Sequence, residues 1–159
     1  MDKILTVQEP YASALVHGIK RFEFRPWRIQ PGIRVWIHAG LKAGVPFEGL
    51  AQWLRANGDA IAADYVDWTV GTDDAPRPDL SGSPLARSIY ASKGMDGAWE
   101  FPFGKIVGWC IFGDAVPTVG EESRFGKFAN PVKQFHALAP TEWKMHKGAL
   151  GLRPFGGVS

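Results

Sequence analysis

The sequence predicts a mixed α+β fold, a small β-barrel with flanking short helices and a helical insertion. Five to seven short segments have strand length and strand-like apolar patterns, and Gly- and Pro-containing turns separate them. Between about residues 41 and 104 the pattern changes to apolar spacing typical of helices. A chain of 159 residues suits one domain with a real core. We therefore expect a single domain over 1–159, with the insertion at about 41–104.

The first forty residues predict strands around one short helix. In order, the elements are a strand at 3–8, a helix at 10–17, a strand at about 21–27, a turn at 30–32 and a strand at 33–40. Pro10 suits the first helical position, and Gly18 suits the left-handed position after the last turn. Lys20 falls in the turn before the second strand.

The rest of the chain predicts the insertion and then more strands. The predicted elements are helices at 46–57, 59–68 and 85–93, an exposed loop at 69–84, a long strand at 105–119, one or two strands at 124–138 with a break at Asn130–Pro131, and a terminal hairpin over 141–155. The first insertion helix has Leu50, Trp53 and Leu54 at helical spacing, which places Trp53 on an apolar face. The insertion is too short and irregular to predict a core of its own.

Charge is distributed unevenly along the chain. Residues 1–58 hold eight Lys and Arg against four Asp and Glu, a net charge of +4. Residues 59–104 hold three against eight, a net charge of −5, and residues 105–159 hold seven against four, a net charge of +3. A basic body with interleaved aromatic rings suits a phosphate backbone and its bases. The acidic insertion should repel the same partner.

The stretch GIKRFEFRPW, residues 18–27, mixes charges with rings. Side chains alternate faces along a strand, so Phe22 and Phe24 share one face, which we assign to the core. The other face carries Arg21, Glu23, Arg25 and Trp27. That row is either an ion-pair ladder in water or the lining of a ligand site.

Several classes of site and location are disfavoured. Cys110 is a lone cysteine in an apolar run, which favours a buried, inert thiol. The four histidines lack metal-ligand spacing, and His38 suits a core histidine or a general base. A signal peptide and an apolar run of about 18 residues are both missing, so a cytoplasmic protein without membrane contact is expected.

The opening of the chain resembles ASCH domains, a branch of the PUA-like β-barrels. Their entry pattern is found at Gln8, Pro10, Tyr11, Ala12 and Ser13, and then at Gly18, Lys20, Glu23, Arg25 and Trp27. The segments RVWIHAG, KIVGWCIFGDAV, FGKFANPVKQF and HKGALGLRPF resemble later strands of the family. The resemblance implies a PUA-like barrel and a cleft flanked by the charged row.

Two positions depart from the family pattern. Tyr11 replaces a Trp, and a phenol is still flat enough to stack on a base. Glu23 stands where small relatives that hydrolyse an acetylated nucleoside carry Thr as the apparent nucleophile. A carboxylate cannot simply replace an alkoxide, so that amide hydrolysis is not carried over.

The resemblance implies an RNA-binding domain for single-stranded RNA or a flipped base. Bases would stack on Tyr11 and Trp27. The residues expected at the RNA backbone are Lys20, Arg25, Lys127, His146 and Lys147. Because some family members cleave RNA, the resemblance also leaves open metal-assisted RNA hydrolysis coupled to binding, a ribonuclease activity with Lys20 and Glu23 as the catalytic residues.

Two other functions stay open. One is a hydrolase acting on a modified nucleoside in a closed pocket. The other is a non-catalytic interaction module whose acidic insertion recruits a protein partner of unknown identity. A dedicated metal site is not predicted, although Mg²⁺ held jointly by carboxylates and RNA phosphate is compatible with the sequence.

Overall fold

The computed structural model describes residues 1–71, 74–92 and 101–156. The strands in those residues are β1 Lys3–Glu9, β2 Phe22–Arg25, β3 Arg34–Ala43, β4 Lys105–Phe112, β5 Val116–Pro117, β6 Phe128–Ala137, β7 Lys144–Met145 and β8 Arg153–Pro154. The helices are α1 Tyr11–Val16, α2 Leu50–Ala56, α3 Ala60–Val70 and α4 Pro84–Ser92. The expected mixed α+β fold is confirmed.

The strands form one curled sheet, a half-barrel. Their order is β2-β6-β4-β3-β1-β8, with β5 on β6 and β7 on β4. Strands β1 and β3 are parallel, and the other pairs are antiparallel. Helix α1 packs inside the curl, where Leu15 and Val16 join Leu5, Ile37 and Val107 in the core. Because β1 and β2 are not hydrogen-bonded neighbours, the curl leaves an open seam between them.

Helix α1 begins and ends close to the predicted positions. Pro10 precedes its first residue, and Gly18 follows it with a φ of +77°. Glu9 is fully buried at its start, where its carboxyl accepts hydrogen bonds from the Ser13 backbone N–H at 2.7 Å and hydroxyl at 2.6 Å. Lys20 lies between α1 and β2, as expected.

Three expectations for the later strands are wrong. The predicted long strand over 105–119 is divided into β4 and β5. The predicted break at Asn130–Pro131 is absent, since β6 is continuous there and the Asn130 amide donates to the Glu23 carbonyl at 3.0 Å. The terminal segment is not a hairpin: β7 pairs with β4, and β8 pairs with the start of β1. Free strand edges elsewhere in the sheet outcompete the local pairing.

The helical insertion has a hydrophobic core of its own, which corrects the expectation that it would lack one. Leu54, Tyr65, Leu85 and Ile89 are among its buried residues. Asp59 accepts from the Ala62 N–H at 3.0 Å and from the Ser83 hydroxyl at 2.8 Å, which ties the start of α3 to α4. The assignment of the whole chain to a single domain stays a prediction.

No helix in the described ranges is long and apolar enough to cross a membrane.

Candidate functional site

Strand β2 presents the opposite pattern of burial to the one predicted. Phe22 is 42% exposed, whereas Glu23 is only 5% exposed. The expectation that the phenylalanines face the core is therefore wrong. Strand β2 lies at the end of the sheet beside the open seam, and residues of both its faces line the cleft there, so its alternation does not separate core from solvent. Burying Glu23 requires cationic partners, and the neighbouring residues provide them.

Two cations hold the Glu23 carboxylate. Lys20 Nζ contacts Oε1 at 3.0 Å, and Arg25 Nε donates to Oε2 at 2.9 Å. Lys20 Nζ also donates to the Phe22 carbonyl. Arg21, expected to flank Glu23 in the same row, is exposed and makes no ion pair among the described residues. The cluster thus combines two partly desolvated cations with one carboxylate.

A cleft of about 900 Å³ opens at the seam. Its lining includes Thr6, Val7 and Gln8 of β1, Tyr11 of α1, residues 19–26 of the next segment, Trp53 and Asn57 of the insertion, and Phe125. Arg25 spans the seam, because its Nη2 donates to the Thr6 carbonyl at 2.9 Å. The sequence-predicted residues Tyr11, Lys20, Glu23 and Arg25 therefore meet in one cavity.

Tyr11 and Trp53 form an aromatic corner in this cleft. Their ring centroids lie 5.5 Å apart, with the planes at 64°. The Tyr11 hydroxyl donates to the Gly44 carbonyl at 3.2 Å, and Lys20 Nζ lies 5.8 Å from the centre of the ring. Burial and, secondarily, the Glu23 charge raise the pKa of Tyr11. The phenol is therefore neutral at physiological pH, and what it offers to the cleft is the flat surface of its ring.

Trp53 lines the cleft, a position that the sequence did not predict. Its position on an apolar helical stripe predicted a core side chain. In the structure it is half-buried: one side packs on the core of the insertion, and another side lines the cleft. Helical periodicity identifies the apolar stripe but not which part of it faces the barrel. The position of Trp53 in the cleft is evident only from its ring contact with Tyr11 in the folded chain.

The other predicted site residues lie outside the cleft lining. Trp27 packs on the barrel core, with the Arg25 guanidinium 5.8 Å from its ring centre. Lys127 is exposed beside β6, and Lys147 is exposed in the terminal segment. His146 packs its ring against His38 at 5.7 Å and Phe155 at 5.4 Å. Their predicted contacts with RNA stay predictions.

His38 is a buried histidine away from the cleft lining. Its Nδ1 lies 3.1 Å from the Thr6 hydroxyl, and burial lowers the pKa of the ring. Cys110 is also buried, and burial raises the pKa of its thiol to about 12, so the thiolate is unavailable as a nucleophile.

The described residues do not form a metal site from protein ligands alone. They contain no cluster of three or more His, Cys, Asp and Glu that could hold a metal ion. Within the described lining of the cleft, Glu23 is the one carboxylate, and both of its oxygens already face cations. A divalent ion there would be repelled by Lys20 and Arg25.

Comparison with known families finds a matching family model. The model of the ASCH domain matches residues 5–110. The match spans the insertion as well as the charged row, and it ends before β6 begins. None of the curated proteins compared with the chain matches it.

Proposed function

Since the chain belongs to the ASCH domain family, we propose that it binds RNA by holding one unstacked nucleotide in the seam cleft. The observation that carries the proposal is the meeting of Tyr11, Lys20, Glu23 and Arg25 in one cavity of about 900 Å³. That volume is at the upper end for small-ligand sites, which are roughly 300–1,000 Å³, and it leaves room for a base with its ribose and phosphate.

The base is proposed to occupy the corner between Tyr11 and Trp53. The two rings stand at 64° to each other, so a base lying on one ring meets the edge of the other. The side-chain amides of Gln8 and Asn57 also line the cleft. Asn57 uses its Nδ2 on the Trp53 carbonyl at 2.9 Å, which leaves its oxygen free to accept from a base. A flipped or single-stranded base fits this arrangement better than a paired one.

The phosphate is proposed to contact the cationic residues of the cleft. Lys20 and Arg25 are held in place by Glu23, and a positioned cation loses less conformational entropy on binding an anion. Arg21 lines the cleft, is exposed, and forms no ion pair with a described residue. Three cations against one carboxylate leave the cleft with a net positive charge, which favours RNA over neutral ligands.

RNA hydrolysis is a second candidate function, favoured by the 3.0 Å pair of Lys20 and Glu23 inside the cleft. Glu23 would accept the proton of a 2′-hydroxyl as that oxygen bonds to phosphorus. The P–O5′ bond would break, which gives a 2′,3′-cyclic phosphate on one product and a 5′-hydroxyl, protonated from solvent water, on the other. Lys20 would neutralise the charge that develops on the phosphoryl oxygens. A hydrolase for a modified nucleoside would use the same pair, but its affinity would not increase with the length of an oligonucleotide.

Binding of single-stranded RNA at several salt concentrations tests the main proposal. For each phosphate contact, log K should fall with log salt with a slope of about −0.7. Arg21→Ala should reduce the slope by about one contact, whereas Arg153→Ala, an exposed change at β8, should leave it unchanged. An affinity that does not respond to salt, or equal slopes for all three proteins, would contradict phosphate binding in this cleft. A gel of the same RNA reports cleavage.

A further inference from the structure

Three phenylalanines line the rim of the cleft. The ring of Phe24 lies between those of Phe22 and Phe125, at centroid distances of 6.5 and 5.7 Å. Phe22 is 42% exposed and Phe125 is 57% exposed, and Phe24 is half-buried. All three contribute to the lining of the cleft. We call this row the phenylalanine ladder.

The fold itself does not account for the ladder. None of its three rings belongs to, or packs against, a hydrophobic core cluster of the described residues. Single exposed apolar side chains are ordinary, but a contiguous exposed row that continues a cavity marks an interaction surface. The row comes from two separate segments, β2 and the 3-10 turn at Gly120–Phe125, so it is not an accident of local alternation.

Cations accompany the rings of the ladder. Lys20 Nζ lies 5.3 Å from the centre of Phe24, and the Arg124 guanidinium lies 4.8 Å from the centre of Phe125. Arg21 directly precedes Phe22 and lines the same cleft. Rings for bases beside cations for phosphates are the arrangement with which proteins track single-stranded nucleic acid. This charge complementarity favours a polyanion over an apolar protein segment.

The ring spacing restricts how bases can bind. A base inserted between two rings needs about 7 Å between them, twice the ~3.4 Å rise of a stacked strand. The observed separations of 5.7 and 6.5 Å are shorter, and the rings are tilted by 45° and 33°. Bases therefore lie on the outward faces of the rings rather than between them.

We propose that the phenylalanine ladder binds the bases adjacent to the cleft nucleotide in single-stranded RNA. This inference rests on the proposed function, and it adds a second subsite that gives the domain a preference for longer strands. The ladder residues stack on bases of any sequence, because every base presents a flat face. Selectivity for one base would then depend on the cleft nucleotide, which meets the corner of Tyr11 and Trp53 and the amides of Gln8 and Asn57.

The test compares ligands of different length on matched variants. The ligands are uridine and adenosine 5′-monophosphates and the single-stranded hexamers U6 and A6, measured at one salt concentration. The variants are Phe22→Ala/Phe125→Ala and the control Phe135→Ala, which removes a ring that is 54% exposed but outside the cleft lining. Circular dichroism melts confirm that each variant is folded.

The unmodified protein should bind the hexamers more tightly than the mononucleotides. The double variant should lose roughly 10- to 100-fold in hexamer affinity, since each stacked base contributes on that scale, and should keep its mononucleotide affinity. Phe135→Ala should behave like the unmodified protein. The ladder proposal is overturned if the double variant keeps the hexamer affinity of the unmodified protein, or if the unmodified protein gains no affinity with ligand length. In either case, binding of the mononucleotides would still support the cleft. Absence of binding by every ligand overturns the proposed function itself.

Discussion

The Arg25 guanidinium donates to the Thr6 carbonyl at 2.9 Å and so joins the facing edges of β2 and β1 across the seam. The same side chain donates through Nε to Glu23. One residue thus substitutes for missing backbone hydrogen bonds and positions the only carboxylate in the described lining of the cleft. A planar group with donors on several sides is required, and lysine lacks that geometry.

Arg25→Lys should therefore destabilise the seam although it retains the charge. We expect a loss of about 1–2 kcal/mol in the free energy of unfolding, from two hydrogen bonds that a single ammonium cannot both make. Arg34→Lys is the matched control, because Arg34 also donates to a carboxylate, Asp2, but at an exposed site where the cost should be about 0–1 kcal/mol. Urea denaturation measures both. Equal losses would show that the seam contact is dispensable.

Glu23→Gln separates the roles of the carboxylate. The amide keeps the shape but removes the charge that holds Lys20 and Arg25, so the free energy of unfolding should fall by about 1–3 kcal/mol. RNA affinity at low salt should stay equal or rise, because both cations become free for phosphate. Cleavage, if the parent cleaves, should stop, since an amide cannot accept a proton at neutral pH. A tenfold loss of affinity in the folded variant would instead place the carboxylate in contact with RNA.

Lys20→Ala tests the cation of the same pair. Lys20 contacts Glu23 and lies over the rings of Tyr11 and Phe24, so its removal should weaken RNA binding and lower the salt slope by about one contact. Titration of single-stranded RNA at several salt concentrations measures the affinity and the slope, and a thermal melt checks that the variant is folded. Parent-like affinity and an unchanged salt slope in Lys20→Ala would place the RNA site elsewhere on the barrel.

Glu9 should make stability depend on pH. Burial raises the pKa of its carboxyl from an ordinary value near 4.5 to about 7. Between these values the folded chain binds the proton and the unfolded chain does not. The free energy by which protonated Glu9 stabilises the fold is therefore complete below pH 4.5 and is lost as the pH rises through 7. The shift corresponds to roughly 3 kcal/mol.

Glu9→Gln imitates the protonated form and should remove that loss. The variant should match the parent near pH 4.5 and exceed its stability at pH 8, as measured by urea denaturation across the range. Glu48→Gln, a change at an exposed glutamate, provides the control and should follow the parent. A stability difference between Glu9→Gln and the parent that is constant with pH would contradict a buried, protonated Glu9.

The aspartates of the insertion should divide into two classes. Asp59 belongs to the acidic insertion, which is expected to repel RNA, but the structure shows it capping α3, so Asp59→Ala should cost about 1–2 kcal/mol of stability. Asp64 and Asp67 are exposed and bind Arg55 at 2.8 and 2.7 Å. Asp64→Asn/Asp67→Asn should change stability little and leave RNA affinity equal or higher. A marked loss of affinity would place these carboxylates at the binding site. Asp73, another aspartate of the acidic insertion, lies outside the described residues.

Several features follow from local sequence alone. The start and end of α1 are set by Pro10 and Gly18, whose backbone preferences act wherever the chain goes. The strands β1 and β3 follow from short apolar patterns, and the family pattern of Lys20, Glu23 and Arg25 predicted residues that do meet in one cleft. Contacts between residues that are three to five positions apart depend on local geometry, so they can be predicted from the sequence before the fold is known.

Other features were decided by the tertiary structure. Which face of β2 is buried depends on the open seam beside it, and the seam exists because β1 and β2 end up near opposite ends of the curled sheet. Trp53 joins Tyr11 across 42 positions in the chain, and β8 pairs with β1 instead of β7. Periodicity in a sequence predicts that a residue packs against apolar neighbours, but it does not identify those neighbours. The phenylalanines of GIKRFEFRPW therefore read as core in the sequence and line an open cleft in the fold, because only distant segments determine where the core ends.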